Sequence, residues 1–262
     1  MKRQKYKFPI NLIIVLAVIF LAIFLLIGYI WEVLNTSDFF SVKQVVVRNS
    51  EGYFDYLKGK NIFSLDLDSL SQRVLAGCTD CRKVRFSRVL PDCIVADFVY
   101  RQPAALIKFY KNFVVDDQGI LFYPSSDINQ AGLPLIYGLE TKIFAPKLGI
   151  KYKRPELDLA LNIISEIKSN RIFKDFTLKS IDVSSLASAS FFMLLPPQAG
   201  EHTLVKTQIE RFGFEVRLGP GNIKQKLMIL GGLIMQARKD WGNIKYIDLR
   251  FKEPLIKLNN AK

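Results

Sequence analysis

Only two thiols are spaced closely enough to act together, Cys78 and Cys81 of the run Cys78-Thr-Asp-Cys81. Such a pair can close a disulfide, exchange electrons with another dithiol or, with further ligands, hold a metal. Reactive pairs sit at a helix N-terminus, where the dipole stabilises the thiolate. This pair instead follows a segment whose apolar spacing predicts a helix from Asp66 or Asp68 to about Ala76, so it meets the negative end of the dipole. A zinc site would have to recruit Cys93 and the distant His202, a closure that the spacing does not predict. The readings rank accordingly: a disulfide, local or through Cys93, comes first, plain structural thiols second, and a metal or redox centre last.

Other chemistry-bearing residues read as turns. Gly219-Pro220-Gly221-Asn222 precedes a predicted helix but lacks the spacing of a phosphate-binding loop and its Lys-Ser/Thr pair. Asp116 and Asp117, beside Gly119 and between apolar runs, suit a hairpin turn better than acid-base work. Ser184, Ser185, Ser188 and Ser190 show no nucleophile-elbow pattern, and His202, the only histidine, lies in a polar turn with nothing nearby to make it a ligand or base. No catalytic residue, cofactor, metal site or small-molecule substrate is predicted.

The elements begin with an apolar run. Leu12 to Ile30 holds no charge and at helical rise spans about 28 Å, close to the hydrocarbon thickness of a bilayer, with Tyr29 and Trp31 at its end. It is longer than a signal h-region and no small-x-small cleavage pattern follows, so residues 11–31 are predicted to be an uncleaved transmembrane helix. Lys2, Arg3, Lys5 and Lys7 in the tail 1–10 keep the N-terminus cytoplasmic and place everything from about Glu32 outside. A chain half apolar, 23% charged and carrying a net +13 excludes a disordered tail. Outside the cytoplasm its positive excess suits an anionic membrane or wall polymer, and nucleic acid is excluded as a partner.

Beyond the anchor, SVKQVVVRN predicts a strand; the Asp-capped helix follows, then strands at Val84–Leu90 and Cys93–Arg101 joined at Pro91-Asp92. Phe113 to Phe122 predicts a hairpin, Glu156 to Ser169 a helix behind Pro155, and Ser180–Val183, Ser190–Leu195 and Phe214–Leu218 further strands. Asn222 with Gln225 opens a helix to about Ala237, and Tyr246 to Leu258 is strand material. Lys142, Lys147, Lys151, Lys153 and Arg154 read as a solvated loop before a contact with anionic lipid or wall polymer.

The residues carry a resemblance. FFSVKQVVV, GKNIFSLD and VRFSRVLPDCIVADFVYRQPAA resemble a POTRA domain placed directly after a membrane anchor, and with the rest of the chain they resemble the FtsQ/DivIB family of cell-division proteins. The Arg-x-x-Pro of Arg88 to Pro91, the Arg-x-Pro-Ala of Arg101 to Ala104, FVVDDQGILF, LPLIYG (Leu133 to Gly138) and the closing YIDLRF (Tyr246 to Phe251) are similar to the family's segments; Tyr100 departs from a frequent Glu. The resemblance implies an α+β fold, with a POTRA unit (β-α-α-β-β) at 39–108, a mixed β-rich domain with packed helices at 109–258 and a short tail at 259–262. It implies a non-catalytic divisome scaffold in the inner membrane at the septum. Its implied partners are FtsB/DivIC-like and FtsL-like coiled-coil proteins and other divisome membrane proteins. A membrane-anchored cell-wall enzyme and a POTRA-type export chaperone are the alternatives; no nucleophile or metal constellation supports the first, and neither POTRA repeats nor a barrel pattern the second.

Recruitment by strand addition needs an edge with unpaired N–H and C=O groups, and the C-terminal strand is the candidate. Tyr246 and Phe251 would be aromatic anchors, Asp248 and Arg250 share a face by spacing, and Leu255, Ile256 and Leu258 would line the seam beyond Pro254. The alternative is that these residues complete the core. For the anchor, cysteines introduced at Lys5 and Lys262 give the test: in whole cells an impermeant thiol reagent should label position 262 and spare position 5, and the reverse pattern would invert the orientation.

Overall fold

A computed structural model describes residues 10–50, 52–123, 132–196 and 213–259. His202, the cations of the N-terminal tail and the last three residues lie outside the described residues. The chain divides into two compact units, residues 1–100 and 101–262.

The first unit opens with α1 (Ile10–Thr36), whose apolar stretch is long enough to cross a membrane and is not buried against protein. A turn of 3-10 helix at Asp38–Phe40 leads to β1 (Gln44–Arg48). The first of the two helices expected next is a single 3-10 turn at Asp55–Leu57, since Gly52 and Gly59 leave too few residues between them for an α-helix. Asp66 then caps α2 (Leu67–Gly77), its carboxylate accepting from the N–H groups of Asp68 and Ser69. β2 (Cys81–Val89) and β3 (Cys93–Tyr100) form the expected hairpin, and β1 joins β3 in parallel, giving the order β1-β3-β2. Leu57, Ile62, Leu70, Val84, Phe86 and Ile94 are among the buried core residues. Arg88 crosses this unit, donating from Nε to the Ile62 carbonyl at 2.7 Å and from Nη2 to that of Leu65 at 2.6 Å.

The second unit is a nine-stranded mixed sheet. Its strands are β4 (Pro103–Lys108), β5 (Asn112–Asp116), β6 (Leu121–Phe122), β7 (Leu135–Tyr137), β8 (Thr177–Asp182), β9 (Ser190–Leu194), β10 (Gly213–Arg217), β11 (Ile244–Asp248) and β12 (Leu255–Leu258), in the order β12-β11-β10-β9-β8-β7-β4-β5-β6. A boundary at 108 would cut β4 from β5 and β7, with which it pairs, so the division falls after Tyr100. Two parallel crossovers carry the helices: α3 (Pro155–Ser169) links β7 to β8, and α4 (Ile223–Gln236) links β10 to β11. Leu157, Ala160, Ile163, Ile164 and Ile167 of α3 are buried at helical spacing, whereas Leu159 and Leu161 are only half-buried.

Asp116 anchors the start of this unit. Buried, it takes Arg101 Nη1 at 2.7 Å on one oxygen and the N–H groups of Gln118 and Ile120, each at 2.9 Å, on the other, so it performs the turn role read from the sequence. Gly138, which closes the LPLIYG segment, has φ +87°, and a Cβ there would overlap the backbone of Ser184. Gly138→Ala should therefore destabilise the second unit by about 2–4 kcal/mol, whereas Gly132→Ala, where a Cβ meets nothing within 4 Å, should change stability by less than about 0.5 kcal/mol. Denaturant unfolding of the two variants checks this.

Candidate partner-binding edge

β10, α4 and β11 build the candidate edge. Asn222 starts α4 by accepting from the Gln225 N–H, and Gly219-Pro220-Gly221 is the turn that brings the chain from β10 into the helix, with φ +124° at Gly221. One turn in, Lys226 Nζ donates to the carbonyls of Gly219 and Leu249, both at 3.0 Å, tying together the ends of the parallel strands. Burial lowers the pKa of this ammonium, and the charge of Asp248 partly offsets it.

β11 and β12 form an antiparallel hairpin across Leu249–Pro254, so the run Tyr246 to Leu258 is two strands where one was expected. Register divides its side chains between the faces. Ile256 lies opposite Ile247 and packs against the core, while Leu255 opposite Asp248 and Lys257 opposite Tyr246 point to the other face. On that outer face Tyr246 is held between cations, with Arg217 Cζ 4.1 Å and Lys257 Nζ 5.8 Å from its ring centre. Arg250 lies past the end of β11 and folds back on Asp248: Nε reaches both oxygens at 3.0 and 3.1 Å, Nη2 reaches Oδ2 at 2.7 Å, and the Arg250 N–H adds a bond at 3.0 Å. Asp248 is buried, and this guanidinium holds its carboxyl below the usual range against the opposing effect of burial.

Phe251, Leu255 and Leu258 are exposed, Phe251 at 61%. A cleft of about 320 Å³ lies beside Phe251 and Pro254, lined by Lys226, Ile229 and Arg250 among others. Next to it the outer side of α4 exposes Met228, Ile229 and Met235. These helix residues went unmarked in the sequence reading, although apolar positions all round α4 were a signal that two of its faces have work. Lys226 was missed as well; a cation in the first turn, against the dipole, was its signal.

The two ends of the sheet differ. At β6 the loop 149–152 covers the edge: Gly149 N–H donates to Leu121 O, Tyr152 N–H to Gly119 O, and Lys151 bridges Ile120. At the other end, among the described residues, β12 terminates the sheet with its outer ladder unpaired. Elsewhere, the sulfurs of Cys78 and Cys81 are bonded to each other beyond the C-terminus of α2, which uses up the thiolates that with Asp80 could ligate a metal; Cys93 is free and half-buried. In the basic loop, Lys142 pairs with Glu156 at 3.6 Å and the Lys147 N–H donates to the Tyr152 hydroxyl.

Comparison with known sequences places these features in context. The sequence model described as "Cell division protein FtsQ/DivIB, C-terminal" matches residues 105–250. The protein named Cell division protein FtsQ from Syntrophotalea carbinolica is 22% identical over 233 residues, covering 86% of this chain and 76% of its own length. Proteins of the same name from Geotalea daltonii and Geobacter sp. (strain M21) are each 24% identical, covering 76% of this chain and 66% and 65% of their own lengths.

The Asp248 contacts yield a pH dependence. Its folded pKa lies below the unfolded value of about 3.9, so its stabilising contribution is complete above that value and is lost as pH falls through the folded one. Asp248→Asn should cost about 1–2 kcal/mol at pH 7, the lower part of the range because the Arg250 guanidinium is partly in water. The gap between wild type and variant should begin to narrow below about pH 4 and close only as pH falls through the lower folded value, as measured by urea unfolding followed through Trp241 fluorescence.

Proposed function

The chain belongs to the FtsQ/DivIB family of cell-division proteins, and from that premise we propose that it is a non-catalytic scaffold of the division machinery that captures partner proteins on β12 by strand addition. The observation that carries the reading is the contrast between the open edge at β12 and the covered edge at β6. An incoming extended segment would complete the ladder. Its side chains would meet Leu255 on one face and Leu258 on the other, with Phe251 and the apolar side of α4 offering anchor points beyond the strand. In this reading Tyr246, Asp248 and Arg250 hold the hairpin in shape, and Ile256 joins the core.

The unit at 1–100, with its strand-helix-hairpin order, is the POTRA unit in this proposal, and α1 is the anchor, its N-terminus cytoplasmic and the bulk of the chain outside. The partners are coiled-coil division proteins of the FtsB/DivIC and FtsL kinds, the place of action is the septum, and the work is holding rather than bond-making.

A charge on the rim and a charge in the core have different expected outcomes. Phe251→Glu or Leu255→Glu should lower capture of a coiled-coil partner in co-purification by about tenfold or more, with the unfolding midpoint unchanged, because both side chains are exposed. Ile256→Glu should destabilise the hairpin itself. Wild-type capture by both rim variants would place the interface elsewhere.

A further inference from the structure

The last turns of α1 are fastened to the folded part of their own unit. Asn61 donates from Nδ2 to the carbonyls of Leu34 at 2.9 Å and Ser37 at 3.3 Å, and its Oδ1 accepts from the Phe63 N–H at 2.8 Å. Around it the segment 59–62 runs antiparallel to 40–42, with Ile62 N–H to Phe40 O at 2.9 Å and Val42 N–H to Lys60 O at 2.9 Å. Leu34 is half-buried where most of α1 is exposed. The loop carrying Asn61 therefore stands level with the final turn of the helix.

That level can be placed relative to the bilayer. The apolar run ends at Ile30 and Trp31, and Glu32 is the first charge after it. Leu34 and Thr36 lie about 4–8 Å farther along the axis at helical rise. A headgroup layer is roughly 5–7 Å thick on each side. Asn61 and its neighbours thus stand within the headgroup layer or at its outer border. There Phe39 is 62% exposed, its ring meeting that of Phe40 edge-on at 5.0 Å, and Phe40 meets Phe63 at 5.1 Å.

We propose that Phe39, backed by Phe40 and Phe63, is an interfacial anchor that seats the first unit on the headgroup layer of the membrane crossed by α1; this rests on α1 being the membrane anchor. An aromatic ring at that depth stays clear of water while the polar joint Asn35 to Asp38 remains hydrated. The seat and the Asn61 clasp together restrict the tilt of the unit on its helix. The occupant is lipid because the patch continues from the helix itself, within three residues of its end.

Photocrosslinking of the full chain in its native membrane tests this. p-Benzoylphenylalanine replaces Phe39, Phe20 in the middle of the span, or Tyr100, which ends β3 about 25 Å beyond the Lys43–Asp92 contact at the start of that strand. The aromatic replacement at position 39 preserves the ring contacts, and mass spectrometry identifies each adduct. Lipid adducts should form at 20 and 39 in similar yield, about tenfold above position 100. Lipid at 20 but not at 39, or a protein adduct at 39, would overturn the seat while leaving the anchor intact. Absence of lipid at 20 would overturn the anchor and the seat with it.

Discussion

Two carbonyls and one ammonium hold the candidate edge in place. Lys226 reaches from α4 to the ends of β10 and β11 and closes the crossover that makes those strands parallel neighbours. Taking an ammonium partly out of water is unfavourable, and its two acceptors and the charge of Asp248 offset that cost. The position does nothing for the helix, since a cation in the first turn faces the positive end of the dipole. Its effect falls on the strands: Lys226 holds the Leu249 carbonyl, the next residue, Arg250, folds back onto Asp248, and the hairpin that presents β12 starts from this point.

The motif residues behind the family resemblance have the same character. Arg88 binds two carbonyls of the loop ahead of α2, and Arg101 binds the carboxylate that organises the β5–β6 turn. Gly138 lies where a side chain has no room. Such residues organise backbone, and they mark the chain through its fold rather than through a reaction.

Helices were legible in the sequence because their information is local. The 3.6-residue spacing and the caps at Asp66 and Asn222 lie within a few residues of what they control, and both caps bond as their types require. Strand membership is not local. Pro103 reads as the close of the preceding hairpin, but that Pro103 to Lys108 is itself a strand is not visible there, because its partners β5 and β7 lie later in the chain. The turn inside Tyr246 to Leu258 lacks a tight-turn dipeptide, so two strands read as one. At the site, Pro254 pointed to an edge strand, whereas the split of Leu255 and Ile256 between faces depends on register against Asp248 and Ile247. Lys226, Asn61 and the pairing of Arg101 with Asp116 act across gaps that composition does not reveal.

The unequal ends of the large sheet have a consequence for self-association. A sheet that grows by edge pairing without limit needs two receptive ends on each copy, one to accept and one to offer. Here the β6 end is occupied by the chain's own loop, and β12 is only four residues long with Pro254 before it and Lys257 within it. Among the described residues each copy of this sheet therefore has one open end rather than two, and edge-to-edge pairing between copies has no second end from which to continue.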